Sequence, residues 1–147
     1  YLLKELVLTA LLERGQRNAN LFLSGKPVIG KNEDFYTTKS DYETVLMLID
    51  TNDAMYGSVQ DRISFFDAML KIQERRDMAI AKQALQELSL KYPEGAHIHQ
   101  GLAMLYLAES NKERATIELR KANEIVKTWT KPKNTETHIE IMSGNLE

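Results

Sequence analysis

The chain has 147 residues, with 19 basic and 21 acidic side chains, a formal charge of -2, 43% hydrophobic residues and 27% charged residues. That length supports one domain with a continuous core, and the near-neutral balance excludes the clustered positive field of a nucleic-acid binder and any polybasic membrane patch. Zero cysteines exclude disulfides and thiolate metal sites and leave the cellular compartment open.

The sequence opens at Tyr1 rather than Met and therefore reads as a fragment or a processed form. Residues 1–14, YLLKELVLTALLER, carry a broad apolar stripe that predicts a helix, with Gly15 as its stop. Lys4 and Glu5 interrupt that stripe. It is also shorter than the roughly 20 apolar residues a bilayer span needs, so no direct membrane insertion is expected. Residues 16–39 hold Gly25, Pro27 and Gly30 and show no helical period, which predicts a loop with at most one short turn of helix.

Ser40 followed by Glu43 has the form of a capping box and starts the next expected helix, over 41–56. A break is expected near Asn52-Asp53 or at Gly57, and Ser58 with Asp61 opens a further helix to about Arg75. From there to about Lys127 helices alternate with short turns at Arg76-Asp77, Tyr92-Pro93-Glu94-Gly95 and Ser110-Asn111. Pro93 lacks an N–H and restricts Tyr92, so the helix before it must stop there. The tail beyond Trp129 contains Pro132 and then THIEIM, which suits a last short helix or a strand, with helix favoured.

A shift of 34 residues aligns Met69 with Ala103, Ile72 with Tyr106, and Asp77 with Asn111. The same shift aligns Ala81 with Ala115, Leu85 with Leu119, and Leu88 with Ala122. Helices in a hairpin cross closely where small residues meet, a role that suits Ala81, Ala103 and Ala115. On this spacing residues 62–127 resemble the tetratricopeptide repeat (TPR) family, whose period is 34. Leu102-Ala103 and Tyr106 stand at its Leu-Gly and Tyr positions, Ala115, Leu119 and Ala122 at its Ala, apolar and Ala positions, and Pro93 at its closing proline. Met69 at a small-residue position, His99 at the Trp position and Lys127 at the second proline depart from the pattern.

The resemblance implies an all-α fold of antiparallel helical hairpins stacked as a short right-handed solenoid. Residues 1–147 then form a single helical domain. It comprises N-terminal helices and a loop over 1–61, two TPR-like hairpins over 62–127, and a capping segment over 128–147. Two repeats leave apolar faces that only neighbours can cover, which assigns the helices at 1–14 and 41–56 and the tail after Trp129 as caps or degenerate repeats. The implied function is a protein-interaction scaffold, not an enzyme. Its concave groove would carry Ile63, Phe66, Leu70, Gln73, His97, Gln100, Met104 and Leu107. Without a basic clamp, that groove suits an apolar or amphipathic protein or peptide segment, or the chain's own N-terminal helix. A self-associating subunit (a homo-oligomer) and an accessory domain of a larger protein are the alternatives.

Other motifs read as accidental. Gly25 to Lys31 matches the first seven places of GxxxxGK[ST], with Asn32 where the hydroxyl belongs, but a phosphate loop needs a strand before it. His97 and His99 are two apart, so on a helix they diverge rather than share a metal. No cofactor and no acid/base pair is expected.

Overall fold

The computed structural model describes residues 2–23 and 31–130. They form six helices and, among the described residues, no strand: α1 (Leu2–Leu23), α2 (Lys31–Leu48), α3 (Tyr56–Glu74), α4 (Met78–Lys91), α5 (Ala96–Ala108) and α6 (Lys112–Thr130). Each packs against the helix before it. The N-terminal hairpin is sewn by a fork of Arg14 on Asp41 (2.7 Å for both bonds), by Asn18 donating to Thr38 (2.6 Å), and by Phe22 against Phe35. These pairs fix an antiparallel register, since each step up one helix is a step down the other.

This half differs from its sequence reading. α1 does not stop at Gly15 but runs to Leu23, and much of the expected 16–39 loop is helix. Gly15 is an interior contact point: a Cβ there would collide with the Tyr42 ring and hydroxyl. The periodicity that was missed is mixed polar and apolar. Gly15, Ala19 and Phe22, then Phe35, Thr38 and Asp41, are the buried faces, and a purely apolar template does not register Thr38 or Asp41. The Ser40–Glu43 pair lies inside α2 rather than at its start. Ser58 is likewise not a cap: its hydroxyl donates to the Met55 carbonyl (3.2 Å), inside an α3 that starts at Tyr56. The break itself falls at 49–55, where Asp50 and Asp53 accept from the backbone N–H groups of Asn52 and Met55.

In the C-terminal half the 34-residue spacing is visible in the helix ends. α3 ends at Glu74 and α5 at Ala108, while α4 begins at Met78 and α6 at Lys112. Arg75 and Ser110 take left-handed backbone (φ 54 and 62), and the N–H groups beyond them turn back to Lys71 and Tyr106. Both hairpin turns thus close with the bond pattern of a Schellman motif on a residue other than glycine. Met69 and Ala103, Ile72 and Tyr106, Ala81 and Ala115, and Leu88 and Ala122 are all buried. The Leu85–Leu119 equivalence fails, because Leu85 is fully buried and Leu119 is 40% exposed. The buried place on α6 is taken instead by Glu118. A close approach that the repeat alignment misses lies at Gly101, where a Cβ would stand 3.0 Å from Met69 Sδ and 3.2 Å from Phe65 Cε1. The segments 24–30 and 131–147, with the expected terminal helix, lie outside the described residues.

Two glycine substitutions separate packing from propensity. Alanine in an exposed helix gains up to about 1 kcal/mol over glycine. Gly57→Ala, with nothing near its Cβ, should therefore raise the unfolding midpoint slightly in urea. Gly15→Ala should lower stability by about 1–3 kcal/mol, because the Tyr42 ring must give way. Equal effects of the two changes would contradict the packing of α1 on α2.

Candidate functional site

A depression of about 460 Å³ lies where the two C-terminal hairpins meet. One wall is the first half of α3 (Ser58, Asp61, Arg62, Phe65), another the end of α4 (Leu88, Lys91), and the rest the turn 92–95 with His97 and Ile98 of α5. Its floor is apolar because Phe65, Leu88 and Ile98 belong to the core. Its rim is polar and largely self-satisfied: Asp61 accepts from the Tyr92 hydroxyl and pairs with Lys91 (2.8 Å). That hydrogen bond holds the Tyr92 phenol above the ordinary tyrosine range, with burial adding to it.

Arg62 is placed differently. Its guanidinium donates to Gln16 Oε1 (3.2 Å) and to the Tyr42 hydroxyl (3.1 Å), and it lies over the Tyr42 ring. Among the described residues no carboxylate pairs with it. The cleft therefore has one cation held by neutral acceptors beside an apolar floor. His97 closes it, its ring edge-on to Phe65 at 4.8 Å. Burial, with some help from Arg62 and His99, lowers the His97 pKa from 6.5 to about 4, so near neutrality it is an uncharged wall.

The eight groove residues expected from sequence do not line one depression. His97 lines the cleft. Ile63 lies on another side of α3, in a shallow trough with Lys39, Glu43 and Asp67. Phe66 is 2% exposed, enclosed by Phe35, Tyr42 and Phe65. Gln100 donates to the Phe22 carbonyl (2.7 Å), so the end of α1 occupies its side of the groove. Leu70 and Met104 pack partly buried against the core, and Gln73 carries a buried Oε1 without a hydrogen-bond partner. Leu107 is the exposed member, at 51%.

A second feature escaped the sequence reading. His99 Nδ1 lies 2.8 Å from Glu118 Oε1 and Nε2 lies 3.1 Å from the Pro93 carbonyl. Both side chains are buried. The signal was present: Ala115, Glu118 and Ala122 fall at helical spacing on one stripe, so Glu118 stands where only an apolar or partnered side chain fits. His97 and His99 do diverge, and no group of three metal-ligating side chains occurs among the described residues. Gly25 to Gly30 lie outside the described residues, and what precedes them is the helix α1 rather than a strand. No described helix is long and apolar enough to cross a membrane. The chain matches no family model, no curated protein and no solved structure.

His97 yields a pH prediction. The unfolded chain takes up its proton near 6.5 and the folded chain near 4, so between those values the unfolded state binds more protons. Stability should fall as pH drops from 6.5 to 4 and then level off, by about 2–3 kcal/mol for this residue. Urea unfolding at several pH values, with His97→Gln as the subtraction, measures it. A His97→Gln curve parallel to wild type across that window would refute the burial argument. Phe66→Ala, by contrast, should cost about 3–5 kcal/mol of monomer stability. A melting curve left unchanged would show that Phe66 faces solvent.

Proposed function

We propose that this chain is a protein-interaction scaffold of TPR-like helical hairpins, and that it holds a partner by seating an apolar side chain of a peptide segment in the cleft between α3, α4 and α5. The observation that carries this reading is the cleft itself, an apolar floor of Phe65, Leu88 and Ile98 under a polar rim. A volume of about 460 Å³ suits one or two side chains, and binding clefts of this size and lining are typical of ligand sites. The 34-residue recurrence of helix ends and of four buried pairs supports the hairpin-repeat reading. Arg62, with no carboxylate among the described residues, is placed to take a carbonyl or carboxylate of the incoming segment. The concave groove anticipated from sequence is a poorer seat, because Phe66 is enclosed and Gln100 is tied to α1. Binding rather than catalysis fits the His99–Glu118 pair, whose buried atoms are engaged in structural bonds.

Peptides selected from a display library on the folded chain provide the test. Ser58→Trp fills the cleft from an exposed position and should weaken the selected peptides at least about tenfold, a loss of roughly 1.4 kcal/mol. Ser64→Trp, in the shallow trough on the other side of α3, should leave them unchanged. Peptides that bind both variants like wild type do not dock in the cleft.

Self-association is the second reading, favoured by Leu2, Leu3 and Leu6, which are 60–71% exposed on the first turns of α1. Contiguous apolar exposure of this kind marks contact surfaces. A dimer by sedimentation that Leu3→Glu dissociates would support it; a monomer across the concentration range would exclude it.

A further inference from the structure

The turn Tyr92–Gly95 forms a wall of the cleft, and part of what holds it comes from outside the turn. Within it, Gly95 N–H donates to the Tyr92 carbonyl (2.9 Å). Pro93 has no N–H to give, and its carbonyl accepts from His99 Nε2 at 3.1 Å. The other ring nitrogen of His99 faces Glu118 Oε1 on α6 at 2.8 Å, with both residues 7% exposed. A chain of two hydrogen bonds therefore runs from α6 through α5 to the cleft wall.

The proton count of that chain is constrained. A carbonyl only accepts, so Nε2 carries hydrogen. The Nδ1–Oε1 contact then holds one proton, either on nitrogen (imidazolium and carboxylate) or on oxygen (neutral imidazole and carboxylic acid). Without that proton, a lone pair and a carboxylate face each other in surroundings with little water, a costly arrangement. Lys121 on α6 stands 3.6 Å from the other Glu118 oxygen. From α5, His97 senses His99 electrostatically. From α1, α3 and α4, among the described residues, no charged side chain is hydrogen-bonded or ion-paired with either member.

We propose that His99 and Glu118 form a proton-operated latch: their shared proton keeps Pro93 clasped and the cleft wall in place, and its release to solvent frees the turn and reshapes the cleft. The balance is simple. The pair gives up one proton to water, Glu118 is left as a carboxylate paired with Lys121, and the neutral ring turns its single N–H toward one partner at the expense of the other. The latch needs no ligand to operate. Its control over docking rests on the reading of the cleft as the docking site.

The test is a titration of the 15N-labelled chain between about pH 5 and 9, following ring nitrogens and backbone amides. In that window His97 stays neutral, and Tyr92 stays protonated because Asp61 holds its hydrogen. The amides of Glu94, Gly95 and Ala96 should shift along the same curve as the His99 ring, toward an altered turn at high pH. Glu118→Gln offers His99 Nδ1 an amide N–H that does not titrate, and it should abolish that common curve in a chain that still melts cooperatively. Turn amides that stay flat while His99 titrates would overturn the latch, as would turn amides that titrate unchanged in Glu118→Gln. The wild-type titration decides alone should that variant not fold. If the latch titrates while Ser58→Trp leaves peptide binding intact, the docking reading falls and the latch stands.

Discussion

The structure depends on one aromatic cluster. Phe22 from α1, Phe35 and Tyr42 from α2, and Phe65 and Phe66 from α3 meet with ring centroids 5.0–6.1 Å apart, mostly edge to face. Burying each ring is worth about 1.5–3 kcal/mol, and well-oriented pairs add about 0.5–1.5 more. The cluster does two things at once. It joins the N-terminal hairpin to the first C-terminal one, and it closes the face where an open groove was expected. Phe65 sits at its edge, with Phe22 on one side and His97 on the other. The cluster's far boundary is therefore the floor of the cleft.

Small residues set how closely the helices approach that cluster. Gly15 admits the Tyr42 ring and Gly101 admits Met69 and Phe65, while Ala81, Ala103 and Ala115 are buried in the C-terminal hairpins. Polar pairs then fix register where shape alone would allow sliding. The Arg14–Asp41 fork sets α1 on α2, and Asp67 between Lys39 and Lys71 sets α2 on α3. Burial alone would raise the Asp67 pKa, but its two ammonium partners outweigh burial and lower it. Such pairs contribute orientation more than net stability, since desolvation offsets much of their attraction.

The C-terminal half was legible in sequence because its signals are local or periodic. Pro93, the Arg76-Asp77 and Ser110-Asn111 turns, and the 34-residue recurrence each constrain backbone within a few residues. The N-terminal half was less legible because its pattern is tertiary. Gly15 looks like a stop by propensity, and only the Tyr42 ring 27 residues later reveals it as a contact. Ser40-Glu43 satisfied the capping template, but the burial of Phe35 and Thr38 against α1 extends the helix past it. For the site, periodicity singled out His97, which lines the cleft. It left open whether α1 or a partner segment would cover its neighbours, because occupancy of a groove is decided by distant chain. The same holds for His99: its partner lies 19 residues away, and only the buried position of Glu118 hints that one is needed.

Why a cleft persists at this joint follows from the turn that makes it. α4 packs against α5, yet the connection between them reverses the chain in four residues, 92–95. Pro93 cannot continue α4, and Gly95 has no side chain to fill the gap. A Cβ at Gly95 would stand 2.9 Å from Ile98 Cδ1 and 3.2 Å from the Tyr92 carbonyl, so a larger residue must displace the end of the Ile98 side chain and press on the turn. Tyr92 then reaches across to Asp61 on α3 and props the mouth open. The space between is too apolar at its floor for Arg62 or Lys91 to collapse into it without desolvating a charge. The cavity is thus a consequence of how the hairpins are joined, and the residues that make the joint also control its shape.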